Sequence, residues 1–269
     1  MRLGSPLRGA IRLLSYLLLT LFLLPFHLLA VSLGLRRIIN EMPVVYHRMV
    51  CFILGIRVRV HGVRSAVTPT LFVCNHVSYL DIEVLGSLVP GSFVAKAEVA
   101  TWPFFKTLAK AQRTIFVERT SSKASTSRDE MLRRLDTGDN LMLFPEGTSS
   151  DGTRVLPFRS ALFGVAQLRR DDKPIVVQAV AISYTRLDGI PLGRYWRPLF
   201  AWFGDLDLVP HLWQMVCLGE TEAVVTFFPP VDIDRLGDRK KLAEFCFRQV
   251  SLGVQAANCG RDELLPKLA

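Results

Sequence analysis

The chain has 269 residues, half of them hydrophobic, and a formal net charge of +9. This length allows one sizeable α/β domain with an attached segment, and a mean hydropathy of +0.29 is high for a freely soluble protein. The positive charge would attract nucleic acid, an anionic membrane face or a phosphorylated substrate. Because the basic residues are scattered and accompany no nucleic-acid-binding motif, no nucleic-acid partner is expected.

The N-terminal region is almost wholly apolar over residues 13–35, interrupted by Pro25 and His27. The run is long enough to cross a bilayer core of about 30 Å. Arginines flank both of its ends, so the positive-inside rule gives no orientation. A kinked helix that enters one leaflet and bends back at Pro25 fits the same pattern. With a second amphipathic helix at 41–54, residues 1–54 are predicted to attach the chain to a membrane, either by spanning it or by monotopic insertion.

Apolar runs of strand and helix character alternate along the rest of the chain, over residues 55–269. Strands are expected at 56–62, 70–74, 92–95, 114–117, 141–144, 174–182 and 222–228, and helices at 79–88, 103–110, 123–136, 159–169 and 237–256. This alternation predicts an α/β fold with a mostly parallel sheet covered by helices, preceded by the N-terminal membrane-attached helical segment.

The first polar motif, His-x4-Asp, directly follows the strand at 70–74. Ser78 followed by Asp81 is typical of a capping box at a helix start, which places His76 in the turn before the helix. The imidazole can then fold back toward the Asp81 carboxylate, giving a base oriented by an acid. These residues alone fit equally well a purely structural role, in which Asp81 caps the helix and His76 is a turn residue.

A second motif, Pro145-Glu146-Gly147-Thr148, follows the strand at 141–144. The proline ends the strand, and Gly147 permits a backbone turn that other residues resist. Glu146 therefore stands at a strand end, where open α/β sheets bind ligands. The second motif favours the catalytic interpretation of the first.

In this order, Asn75-His76 with Asp81 and the motif Phe144–Thr148 resemble the signature of the glycerolipid acyltransferases, the family of 1-acylglycerol-3-phosphate acyltransferases. The segment 115–119 looks like the third block of that family, although Arg113 stands near the position where the family usually has a glycine. The segment 174–182 fits its last strand, and the resemblance covers residues 55–185, within an expected acyltransferase domain at 55–269.

The resemblance implies a membrane-bound O-acyltransferase that moves an acyl chain from acyl-CoA or acyl carrier protein to the hydroxyl of a lysophospholipid, with lysophosphatidate as the expected acceptor. It makes His76, oriented by Asp81, the general base, so that no acyl-enzyme forms. The remaining expected substrate-binding residues are Glu146, Gly147, Thr148, Arg119 for an anionic head group, and Lys96. The expected location is the inner membrane, with the active site facing the cytoplasm.

Two other functions stay open. The aromatic segment 195–203, beyond the family motifs, is similar to one in bacterial members that acylate lyso-ornithine lipid. A non-catalytic membrane adaptor would also keep the fold, but it has no chemical need for the four motif residues His76, Asp81, Glu146 and Arg119.

Other chemistries are disfavoured by what the sequence lacks. There is no Gly-x-Ser-x-Gly elbow of a serine hydrolase. The histidines are dispersed and form no ligand pair, so no metal site is expected. The widely spaced cysteines are predicted to be buried, reduced thiols, and no cofactor is expected besides the acyl donor.

Overall fold

The computed structural model describes residues 4–96, 103–117, 121–170 and 172–267. The α-helices are α1 (Pro6–Ser32), α2 (Arg36–Leu54), α3 (Leu80–Gly86), α4 (Pro103–Ala111), α5 (Ser121–Asp136), α6 (Leu208–Cys217), α7 (Ile233–Leu236) and α8 (Arg239–Cys259). The strands are β1 (Ile56–His61), β2 (Thr70–Cys74), β3 (Ser92–Lys96), β4 (Ile115–Val117), β5 (Leu141–Leu143), β6 (Arg169–Arg170), β7 (Lys173–Pro174), β8 (Val176–Leu187), β9 (Ile190–Pro191) and β10 (Thr221–Phe227). Short 3-10 helices cover Ser160–Gln167, Arg197–Leu199 and Asp262–Leu264.

The main sheet has the strand order β1-β10-β8-β2-β5-β3-β4, with β9 paired to β8. The strands β8, β2, β5, β3 and β4 run parallel to one another, whereas β10 is antiparallel to β8. The central strand β2 is buried along its whole length, because helices cover both faces of the sheet. Leu71 faces one core layer together with Leu242 of α8, and Phe72 faces the other with Val84 of α3. The predicted mostly parallel α/β fold is confirmed.

Several local predictions differ from the structure. The strand predicted at 174–182 is β8, which runs to Leu187 because β10 pairs with it along that extension. The helix predicted at 159–169 is the 3-10 helix Ser160–Gln167, and α6 was not predicted. Four cysteines are buried as expected, but Cys259 is exposed, because it ends α8 at the protein surface.

The apolar helix α1 lies along the domain and is fastened to it near both ends. At its start, Ser5 donates its backbone N–H to the Cys217 carbonyl at 2.9 Å, and the Arg12 guanidinium donates to the Leu218 carbonyl at 2.7 Å. Toward its end, His27 Nε2 lies 2.9 Å from the Ala111 carbonyl oxygen. Within the part of the chain that the structure describes, α1 is the one helix long and apolar enough to cross a membrane.

The outward side of the N-terminal helices is apolar. It consists of exposed leucine, isoleucine and phenylalanine side chains of α1 and α2, among them Leu7, Ile11, Leu14, Leu18, Leu21, Phe22 and Phe52. Phe52 is 86% exposed. This surface, called here the apolar face, is where contact with a membrane is expected.

Candidate active site

His76 and Asp81 meet in the connection between β2 and α3. His76 Nδ1 lies 2.8 Å from Asp81 Oδ2, which also accepts the backbone N–H groups of Val77 at 2.7 Å and Ser78 at 3.0 Å. The Asp81 side chain is fully buried, whereas 23% of the His76 side chain is exposed. Because a carboxylate can only accept here, Nδ1 carries the proton, and Nε2, which has no partner among the described residues, is the free base.

The expected capping box is only half formed. The N-cap residue of α3 is Tyr79, without a side-chain cap, and the buried Ser78 hydroxyl has no partner in the described part of the chain. The other half exists, because Asp81 accepts the Ser78 N–H. One carboxylate therefore both orders the first turn of α3 and orients the imidazole, so the structural and catalytic interpretations of Asp81 are compatible.

Tyr184 is a member of this site that sequence reasoning missed. Its hydroxyl donates to Asp81 Oδ1 at 2.9 Å, and its ring stacks on Phe200 with 5.5 Å between centroids. Burial, together with the negative charge of Asp81, raises the pKa of Tyr184 far above its usual range, so the hydroxyl stays a donor. Both oxygens of the buried carboxylate are thus satisfied, as an ionised group in an interior requires.

Phe144 fixes the orientation of the His76 imidazole by stacking on it. The two rings stack with 4.3 Å between centroids and 22° between planes, and the Phe93 ring stacks on Phe144 with 6.2 Å between centroids and 9° between planes. Phe144 follows β5 instead of belonging to it, because Pro145 interrupts the strand. The His76 ring is therefore fixed by a hydrogen bond at its edge and by an aromatic ring at its face.

Glu146 accepts two backbone N–H groups, one from the turn that follows β2 and one from its own loop. Its Oε1 accepts the His76 N–H at 2.9 Å, and its Oε2 accepts the Leu156 N–H at 3.0 Å. Burial raises the pKa of Glu146 to about 8, although these two donors act in the opposite direction. The Ser150 N–H donates to the His76 carbonyl at 2.8 Å. The loop 145–159 therefore forms hydrogen bonds with both the backbone N–H and the backbone carbonyl of His76.

The other expected substrate residues have different surroundings. Gly147 adopts φ +69°, and a Cβ added there would lie 3.0 Å from the Arg159 guanidinium carbon. Thr148 is exposed. Lys96 ends β3, but its side chain lies outside the described set, and Arg119 lies outside the described residues.

The aromatic segment 195–203 packs directly on the turn that follows β2 and contains His76. The Trp202 N–H donates to the Val77 carbonyl at 3.0 Å, and the Ser149 hydroxyl donates to the Trp202 carbonyl. His211 is buried and bonded to the Tyr79 hydroxyl and the Leu199 carbonyl. The segment therefore forms part of the wall of the site.

A cavity of about 160 Å³ lies between α1, α2, α3 and α4. Most of its lining is apolar and includes Leu23, Leu24, Ile82, Phe93 and Leu108. Phe93 also stacks on Phe144, which stacks on the His76 imidazole, so one ring, Phe144, lies between this wall of the cavity and the imidazole. Within the four described ranges, no group of His, Cys, Asp and Glu residues could hold a metal ion.

Comparisons with known proteins identify the family of the chain. The Acyltransferase family model matches residues 57–183. The chain is 42% identical over 250 residues to a lyso-ornithine lipid O-acyltransferase of Brucella abortus, covering 91% of this chain and 92% of that protein. It is 33% identical over 175 residues to a 1-acyl-sn-glycerol-3-phosphate acyltransferase of Neisseria gonorrhoeae, covering 65% of each.

The crystal structure of the 1-acyl-sn-glycerophosphate acyltransferase from Thermotoga maritima has the same fold. Its TM-score is 0.62 at 22% identity, with 91% of this chain and 96% of that chain covered. With its His-x4-Asp pair, its fold and these relatives, the chain belongs to the glycerolipid acyltransferase family and is an acyltransferase of lipid metabolism.

Proposed function

We propose that the protein is a membrane-bound O-acyltransferase that moves an acyl chain from an acyl thioester to the free hydroxyl of a lyso-ornithine lipid. The observation that carries the chemistry is the imidazole of His76, held through Nδ1 by a buried carboxylate and leaving Nε2 unpartnered among the described residues. The acceptor is supported by the higher identity and coverage of the lyso-ornithine lipid relative. Lysophosphatidate is the second candidate, supported by the Neisseria relative.

In the proposed reaction, His76 Nε2 takes the proton of the acceptor hydroxyl as its oxygen attacks the thioester carbonyl. The tetrahedral intermediate collapses, the C–S bond breaks, and the imidazolium returns the proton to the leaving thiolate. Asp81 stabilises the imidazolium, and no acyl-enzyme is needed. General base catalysis of this kind contributes about 10² to 10⁴-fold, and the remainder comes from positioning the two substrates.

The cavity between α1 and α4 suits an acyl chain. Its walls are mostly apolar, and each buried CH₂ group gains about 0.8 kcal/mol. Because Phe93 joins the cavity to the ring stack on His76, a chain lying there would present its carbonyl end near the base. Either acyl-CoA or acyl carrier protein would serve as the donor.

Membrane attachment is proposed to be monotopic. At about 1.5 Å per residue, a helix of the length of α1 measures roughly 40 Å, enough to cross a bilayer. A spanning helix would carry one of its ends away from the domain, yet α1 is bonded to the domain near both ends. The apolar face would instead enter one leaflet, with the active site on the cytoplasmic side of the inner membrane.

The reaction is tested by purified protein in detergent micelles, with acyl-CoA or acyl carrier protein and either lysolipid, by measuring the free thiol. Thiol release that depends on lyso-ornithine lipid and is lost in His76→Ala is expected. Release with lysophosphatidate alone would favour the second acceptor, and no release with any pair would favour the adaptor.

The orientation is tested with Cys259, which is exposed while the other four cysteines are buried. A membrane-impermeant maleimide should label it in inverted inner-membrane vesicles and not in intact spheroplasts, and the Cys259→Ser variant controls for labelling elsewhere. Labelling in intact spheroplasts would contradict the proposed orientation.

A further inference from the structure

The turn Phe144–Gly147 contacts the His76 imidazole at one end and the Arg159 guanidinium at the other. The Gly147 N–H donates to the Phe144 carbonyl at 3.1 Å, so the two residues close one β-turn, which brings their Cα atoms within about 7 Å. Phe144 stacks on the His76 imidazole, and the Arg159 guanidinium lies over Gly147. The guanidinium is therefore one turn away from the catalytic base.

The backbone of Arg159 is fixed while its charge is unpaired. Its N–H donates to the Pro145 carbonyl at 3.0 Å. The exposed guanidinium has no hydrogen bond or ion pair within the described ranges, in contrast to Arg113 and Arg134, which both pair with Asp139. Glu146, the acidic residue closest to Gly147 in the chain, does not pair with the Arg159 guanidinium, because both of its side-chain oxygens are bonded to backbone N–H groups.

The contact with Gly147 depends on the missing side chain. A Cβ at this position would lie 3.0 Å from Arg159 Nε and Cζ and 3.3 Å from Nη1, closer than ordinary van der Waals contact. A larger residue would push the guanidinium away from the turn. Gly147 thus has a second reason to be glycine besides its positive φ.

We propose that Arg159 binds the anionic group of the acceptor lipid, the carboxylate of an ornithine head group or the phosphate of lysophosphatidate. A guanidinium can bind either anion in a bidentate manner, through two parallel N–H donors. The inference rests on the proposed function and adds to it a residue for the head group besides Arg119, which the sequence predicted for this role and which lies outside the described residues. The acceptor is favoured over the donor because the phosphates of either donor are separated from its thioester by the long pantetheine arm, whereas Arg159 is close to the reacting centre.

The variants Arg159→Gln and Arg159→Lys test this assignment. In Arg159→Gln, the loss of a hydrogen bond to a charged partner should raise the acceptor KM by about 10-fold or more. In Arg159→Lys the rise should be smaller, because lysine keeps the positive charge but cannot form the bidentate hydrogen bond. The donor KM should not change. Arg64→Gln is the matched control, because Arg64 is exposed, unpaired within the described ranges, and precedes β2 at the sheet edge opposite to His76.

Binding to the His76→Ala protein separates this inference from the proposed reaction. Calorimetric titration with each lysolipid in micelles should show weaker binding to the double variant His76→Ala/Arg159→Gln than to His76→Ala. The lysolipid whose binding weakens more identifies the anion that Arg159 binds. Unchanged acceptor binding and KM would overturn the inference, as would a raised donor KM with an unchanged acceptor KM. Absence of thiol release by the wild type would overturn the proposed reaction alone.

Discussion

Replacing Tyr184 by Phe removes one oxygen atom from the active site and little else. The Tyr184 hydroxyl is the described donor to Asp81 Oδ1, at 2.9 Å, while Oδ2 keeps its three donors. The ring can stay stacked on Phe200. The variant therefore leaves a buried carboxylate with one oxygen unsatisfied.

The size of the effect follows from the burial of that carboxylate. A hydrogen bond to a charged group contributes about 1.5–3 kcal/mol, which corresponds to about 10- to 150-fold if all of it is lost from transition-state stabilisation. We expect kcat to fall within this range with the acceptor KM nearly unchanged. The fall should be smaller than in Asp81→Asn, which removes the negative charge itself.

The pH dependence gives a second readout with a definite sign. With fewer donors, the Asp81 carboxylate attracts the proton of the imidazolium more strongly, so the acidic limb of the kcat/KM profile should move to higher pH in Tyr184→Phe. The assay is thiol release across the pH range. Tyr46→Phe is the control, because it loses a partly buried hydroxyl contact of the same length, 2.9 Å to Thr20, and should leave the acidic limb in place.

The result that would refute this reasoning is a variant with a lower melting temperature, a wild-type kcat and an unmoved acidic limb. Tyr184 would then serve core packing alone.

Three further predictions follow from the same geometry. His76→Ala should lower kcat by about 10² to 10⁴-fold while the protein stays folded, and adding Asp81→Asn should lower it little further, because the two residues act as one unit; independent, multiplicative losses would contradict this. The pKa of Glu146 is raised from its usual 4.5 to about 8 in the folded protein, so the folded state binds more protons between these values and stability should fall as pH rises through them, by about 1.4 kcal/mol per unit at most. Urea titrations should show that fall in the wild type and a flatter curve in Glu146→Gln, and equal slopes would count against it. Ile82→Trp should fill part of the cavity and shift donor preference to shorter acyl chains, as competition between donors of different length would reveal; an unchanged preference would place the acyl chain elsewhere.

The sequence predicted the parts of the site that depend on strand ends. The run of apolar residues at 70–74 placed His76 in a turn, and the spacing to Asp81 predicted the pair that the structure contains. The second motif was predicted to lie at a strand end, and the structure brings it next to the first because β2 and β5 are adjacent parallel strands whose carboxyl ends lie at the same edge. Short-range patterns and one topological rule are sufficient for this much.

The remaining contacts depend on packing between distant segments. Tyr184 is 103 residues from Asp81 in the chain, and its place depends on the register of β8 beside β2, which no local pattern specifies. The one available signal was a tyrosine two residues beyond the predicted strand 174–182. The contact between Arg159 and Gly147 could not be predicted from the sequence either, because it depends on how the loop 145–159 folds around Glu146.

In the proposed monotopic attachment, the helix α1 would have hydrocarbon on one side and the cavity on the other. Leu21 and Phe22 point outward on the apolar face, while Leu23 and Leu24 line the cavity wall. A lipid tail entering from the leaflet would move from bilayer to protein past this single helix without being hydrated, avoiding a cost of about 0.8 kcal/mol for every CH₂ exposed to water. Cutting α1 away to obtain a soluble enzyme would therefore remove the wall of the cavity together with the anchor.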